Sequence, residues 1–104
     1  MTYINAEVKD RSVHVRITNH CRKRDICVAV SAIANTLCQY TEFFRDEIGG
    51  IRVDELRCLP GDVEIEVKCN KKSITEFLKG ARAIMTGFEL YAANYPDEVV
   101  ARIG

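Results

Sequence analysis

The nine residues from Ile26 to Ala34 carry one polar side chain, Ser31. They lie within a stretch, Asp25 to about Arg45, whose apolar spacing is helical, with Asp25 suited to the N-cap and Gly49-Gly50 to the stop. A helix that opens apolar nearly all round has no solvated face and must be covered on two sides. One side can pack on a sheet. In a chain of 104 residues little is left to cover the other, so the simplest cover is a second copy of the same helix, and a homodimer is expected.

The sheet comes from residues of period two. Ile4, Ala6 and Val8 share one parity, Val13, Val15 and Ile17 another, and the polar Lys9-Asp10-Arg11 between them suits a tight hairpin turn. After Gly50 the alternation returns with Ile51 and Val53, changes phase near Glu55, Leu56 and Cys58, and breaks at Pro60-Gly61. Val63, Ile65, Val67 and Cys69 then face one side, with Glu64, Glu66 and Lys68 on the wet side. Ser73-Ile74-Thr75-Glu76 fits a capping box, and a second helix follows whose apolar stripe runs from Ile74 to Tyr95, where Pro96 ends it. Gly80 and Gly87, seven apart on that helix, suggest close approach of another backbone. Glu98 to Ile103 can add a short edge strand. The expected fold is α+β, two strand-strand-helix halves forming an antiparallel sheet with helices on one face, in a single domain spanning 1–104.

Charge and cysteine usage narrow the function. Fifteen basic residues balance fifteen acidic ones, which argues against a broad nucleic-acid footprint or adhesion to a membrane surface. No apolar run approaches the roughly 20 residues of a membrane helix. The opening Met-Thr-Tyr-Ile-Asn-Ala-Glu lacks the basic and apolar regions of a secretory signal, so the cytoplasm is the expected location and the five cysteines are expected as free thiols. Phosphate loops, dinucleotide fingerprints and serine elbows are absent, and so is any Cys-x-x-Cys pair; neither cofactor nor metal is expected.

Cys27 stands out. It falls in the first turn of the apolar helix, where unpaired backbone N–H groups and the helix dipole favour a thiolate and can receive an oxyanion. His20 closes the second strand, and the six residues Cys21 to Ile26 lead back to the helix start, which can bring imidazole to sulfur. The plainer reading of the same residues is a small buried thiol and a solvated loop histidine. Asp25 reads first as a cap and Ser31 as a hydroxyl bonded back to its own helix, yet either could orient a dyad. Cys21 reads as an exposed loop thiol, which with Cys27 leaves a redox sensor open. Arg22-Lys23-Arg24 places positive charge beside the site, which favours thiolate, disfavours imidazolium and offers a contact for RNA or an acidic peptide, the plainer reading being a solvated loop.

His20 after a hairpin, then Asp25-Ile26-Cys27-Val28-Ala29-Val30-Ser31-Ala32 opening an apolar helix, resembles the ribosomal-processing cysteine protease family, Prp. That family's signature is Gly-His-Ala followed by Asp-Ile-Val-Cys-Ala-Ala-Val-Ser. The second hairpin, the helix through Gly87 and Tyr91, and the closing Tyr95-Pro96 extend the likeness over nearly the whole chain. The resemblance implies a small homodimeric α+β endopeptidase of bacteria, without a cofactor, with Cys27 as nucleophile, His20 as general base, and Asp25 and Ser31 in support. Its implied substrate is the N-terminal extension of a large-subunit ribosomal protein, cut after an aromatic-rich motif, or a related phage capsid or scaffold protein. In this chain the family's flanking Gly and Ala are Asn19 and Cys21, and the segment from His20 to Cys27 is shorter. The substrate loop so implied is Asn19, Cys21, Arg22, Lys23 and Arg24. A dimeric binding module that keeps the fold without catalysis is the alternative.

Overall fold

The computed structural model describes residues 1–104. Strand β1 (Thr2–Lys9) turns into β2 (Ser12–Thr18), and helix α1 (Arg24–Phe43) follows, ending in a π-helical turn, Phe44–Ile48. A second hairpin, β3 (Ile51–Leu59) and β4 (Asp62–Cys69), leads into α2 (Ile74–Asn94) and a last strand, β5 (Val99–Ile103). The two strand-strand-helix halves of an α+β fold are therefore present, and the strands merge into one sheet of order β3-β4-β2-β1-β5. Asp10 takes a φ of 57° in the first hairpin turn and Gly61 one of 70° in the second, the left-handed values that such two-residue turns demand.

The sheet is not wholly antiparallel, as its sequence suggested. The β1–β2, β2–β4 and β3–β4 pairs are antiparallel, but β5 runs parallel to β1. The cause is α2. Its 21 residues span about 31 Å, enough to return the chain along the sheet, so the strand that follows enters in the direction of β4 and β1. In β3 the change of phase after Val53 is a bulge: Val53 pairs with Val67, then Glu55 with Glu66, so Asp54 is the extra residue. The bulge restores Leu56 and Cys58 to the core side.

One sheet face is buried under both helices. Ile4, Val13, Val15, Ile65 and Val67 meet Ile26, Val30, Ala34 and Leu37 of α1 and Phe77, Ala81, Met85 and Phe88 of α2. Gly80 and Gly87 do allow close approach, but of side chains rather than backbone. The Tyr40 ring lies on Gly80 and its hydroxyl donates to the Phe77 carbonyl at 3.0 Å, while a methyl at Gly87 would stand 2.8 Å from Ile33 Cδ1. The sheet and α2 together leave one side of the opening turns of α1 uncovered, with Val28 61% exposed.

Helix boundaries differ in detail from the sequence pattern. Helix α1 starts at Arg24 with Lys23 as its cap residue, so Asp25 is in the first turn rather than at the cap. Ser73 caps α2 in position but not by its side chain: its backbone is already helical, and Asn70 Oδ1 accepts the Ser73 N–H at 2.8 Å instead. No helix is long and apolar enough to cross a membrane.

Candidate active site

Three local features bring Cys27 and His20 together. Asn19, at a φ of 70°, turns the chain out of β2, and its N–H donates to the Gly61 carbonyl at 3.0 Å. His20 is thereby laid on the β3–β4 turn, so close that a methyl at Gly61 would stand 2.8 Å from its ring Cδ2. Cys27 makes the first bond of α1, N–H to the Lys23 carbonyl at 3.0 Å, which leaves the N–H groups of the residues before it without intrahelical partners. From these two supports Cys27 Sγ and His20 Nδ1 approach to 3.6 Å, within hydrogen-bond reach for sulfur. The thiol is half-buried and the imidazole exposed.

The pair opens onto a cleft of about 120 Å³. One wall is the face of α1 that carries Cys27, Val30, Ser31, Ala34 and Asn35, and the other is Cys58 to Gly61. A cavity near this size holds one ring or branched side chain. Ser31 lines the cleft and its hydroxyl makes no bond back to its helix, unlike Thr36 and Thr41, whose hydroxyls donate to the carbonyls four residues earlier. Asp25 is exposed in the first turn and makes no side-chain bond. No group of three or more His, Cys, Asp or Glu side chains converges as a metal site would require.

Of the loop residues, only Asn19 lines the cleft along with His20. Cys21 is the clearest departure from its sequence pattern: it is buried, its sulfur 3.1 Å from Thr2 Oγ1, because the turn at Asn19 points it inward. A sensor thiol exposed in that loop is therefore not what the chain builds. Arg22 is anchored instead of free. Its N–H donates to Glu98 Oε2 at 2.8 Å, and its guanidinium lies 3.5 Å from the other carboxylate oxygen. Glu98 is itself 4% exposed. Sequence reading missed it, since an acidic residue between Asp97 and Val99 looks solvated, and only the β1–β5 pairing places it under the loop. Lys23 and Arg24 remain exposed.

The other thiols differ from Cys27 in surroundings. Burial, reinforced by a hydrogen bond with the Cys58 thiol, pushes Cys38 up to about 12, and burial also raises Cys69.

No protein-family model matches the chain, and no curated protein matches it in sequence. Solved structures do match in fold. The essential ribosomal processing protease Prp from S. aureus, in complex with a covalently linked product peptide, superposes with a TM-score of 0.69 over 100% of both chains at 13% identity. The same protease in complex with a substrate peptide gives 0.69 at 12% identity, again over 100% of both chains. SMU.848 from Streptococcus mutans gives 0.67 at 18% identity, over 99% of this chain and 96% of that one. The chain shares its fold, end to end, with this protease.

Proposed function

We propose that the chain is a cysteine endopeptidase of the Prp type. The observation that carries this reading is the 3.6 Å approach of Cys27 Sγ to His20 Nδ1 at a helix start that opens into a cleft. Cys27 is the nucleophile. His20 takes its proton, and the thiolate attacks the peptide carbonyl while the free N–H groups at the start of α1 face the developing oxyanion. Collapse of the adduct breaks the C–N bond, and His20 passes the proton to the leaving amine. Water, deprotonated by His20, then hydrolyses the thioester and regenerates the thiol. Ser31 and Asp25 support the site from the next turn and from the helix start, and the loop that borders the bound peptide meets it through Asn19, with Arg22, Lys23 and Arg24 outside the cleft and Cys21 buried beneath them.

The substrate in this reading is the N-terminal extension of a bacterial large-subunit ribosomal protein, or a related phage structural protein. The fold shared with a ribosomal processing protease that holds substrate and product peptides supports a protein substrate. A homodimer, acting in the cytoplasm on a protein rather than on nucleic acid, completes the reading, supported by the uncovered Val28 on α1. Mass spectrometry of the ribosomal-protein precursor from the same source, incubated with wild-type protein and with Cys27→Ala, tests it. Wild type is expected to remove one defined N-terminal peptide and Cys27→Ala none. Cleavage by Cys27→Ala would exclude the mechanism, and a precursor left whole by both would point to another substrate or to the non-catalytic binding module, which the pH dependence of Cys27 alkylation separates.

A further inference from the structure

The cleft has a far end that the Cys27–His20 pair does not use. Cys27, Ser31 and Asn35 are four residues apart in succession and form one polar stripe along α1, with Val30 and Ala34 beside it. At the far end Cys58 Sγ donates to Asn35 Oδ1 at 2.9 Å. The orientation of that amide is fixed from behind. Cys58 is half-buried and packed against the core, and it gives its proton to the Asn35 oxygen. The Asn35 oxygen is thus occupied, and its Nδ2 group, on a residue that lines the cleft, bonds to nothing in the chain.

Position along α1 gives the stripe a meaning. Eight residues of helix separate Asn35 from Cys27 by about 12 Å, the span of three to four residues of extended peptide. The leaving amine must lie on the His20 side of Cys27 to receive its proton. The run toward Asn35 is therefore left to the acyl portion of the substrate, before the scissile bond. Resting on the protease reading, we infer that Asn35 is a main-chain-binding subsite. Its Nδ2 donates to a backbone carbonyl three to four residues before the cut, and Cys58 is the positioning residue that holds the amide for it.

Two covalent probes test this, because Cys27 displaces chloride from a chloromethyl ketone whether or not the natural substrate is in hand. Acetyl-Phe chloromethyl ketone stops short of Asn35, whereas acetyl-Ala-Ala-Ala-Phe chloromethyl ketone reaches it. The ratio of their second-order rates at Cys27, followed by peptide mapping, is expected to exceed about tenfold in wild type, the value of one well-made hydrogen bond. Asn35→Asp still accepts the Cys58 thiol but repels a carbonyl, and together with Asn35→Ala it is expected to bring the ratio near one. Cys58→Ser, which keeps a donor, is expected to preserve the ratio, and Cys58→Val to lose it. A ratio unchanged in both Asn35 variants would overturn the subsite while leaving the protease reading standing. Failure of either probe to label wild-type Cys27 ahead of Cys58 would instead contradict the protease reading, and the subsite with it.

Discussion

Gly61 is the residue whose role is least visible in sequence and most specific in the fold. In the chain it is half of a Pro-Gly turn signal. In the structure it combines a φ of 70° with an α-carbon on which the His20 ring rests, and its carbonyl anchors Asn19. Gly61→Ala therefore meets two penalties, a strained left-handed alanine costing about 1 kcal/mol and a methyl in the place of the imidazole. The expected result is a modest drop in thermal midpoint with a marked slowing of Cys27 alkylation; a lower midpoint with alkylation unchanged would mean that the turn matters for folding alone. The approach of Cys27 to His20 was legible because one short loop joins a strand end to a helix start. Glu98, Gly61 and the inward turn of Cys21 were not, since each depends on a contact between segments far apart in the chain.

At the level of elements, the open face of the sheet is held by charge rather than by packing. Arg57 on β3 reaches Asp62 and Glu64, Arg16 on β2 also bonds Asp62 at 2.7 Å, and His14 bonds Glu64 at 2.9 Å. The Arg57 guanidinium holds Asp62 below the ordinary 3.8, and the His14 ring followed by Arg57 holds Glu64 below 4.5. Groups lowered in the fold add stability that is complete above their ordinary values and is lost as pH falls below those values toward the lowered ones. The gap in thermal midpoint between wild type and Arg57→Ala should accordingly be small but measurable at pH 7 and narrow as pH falls below the ordinary carboxylate values. A gap independent of pH would assign Arg57 a packing role. The phase change that makes this possible was readable in β3, because apolar parity must be regained after a bulge. The side-chain cap of α2 was misread for a local reason: Ser73 is already helical, and Asn70 Oδ1 holds the Ser73 N–H.

Across the whole molecule, strand periodicity identified which faces are buried but carried no information on which strands become neighbours. That is why the parallel entry of β5 emerged only with the length and path of α2. The same limit applies to the uncovered opening of α1. Its apolar sequence called for cover all round, and the sheet and α2 supply only part of it, leaving Val28 61% exposed. If two copies meet there, light scattering should give twice the chain mass of 11.8 kDa, and Val28→Glu should return it to the single value. A wild type at 11.8 kDa at all concentrations would remove the dimer from the account.

The central claim is that Cys27 and His20 act as one chemical unit, and it can be measured without knowing the substrate. Iodoacetamide labelling of the folded protein at pH 7, resolved by peptide mapping over all five cysteines, gives the rate at each thiol. The account predicts Cys27 first, Cys38 last, and at least about a tenfold slowing at Cys27 alone in His20→Ala. Labelling of Cys27 no faster than Cys58, with no change in His20→Ala, would contradict it.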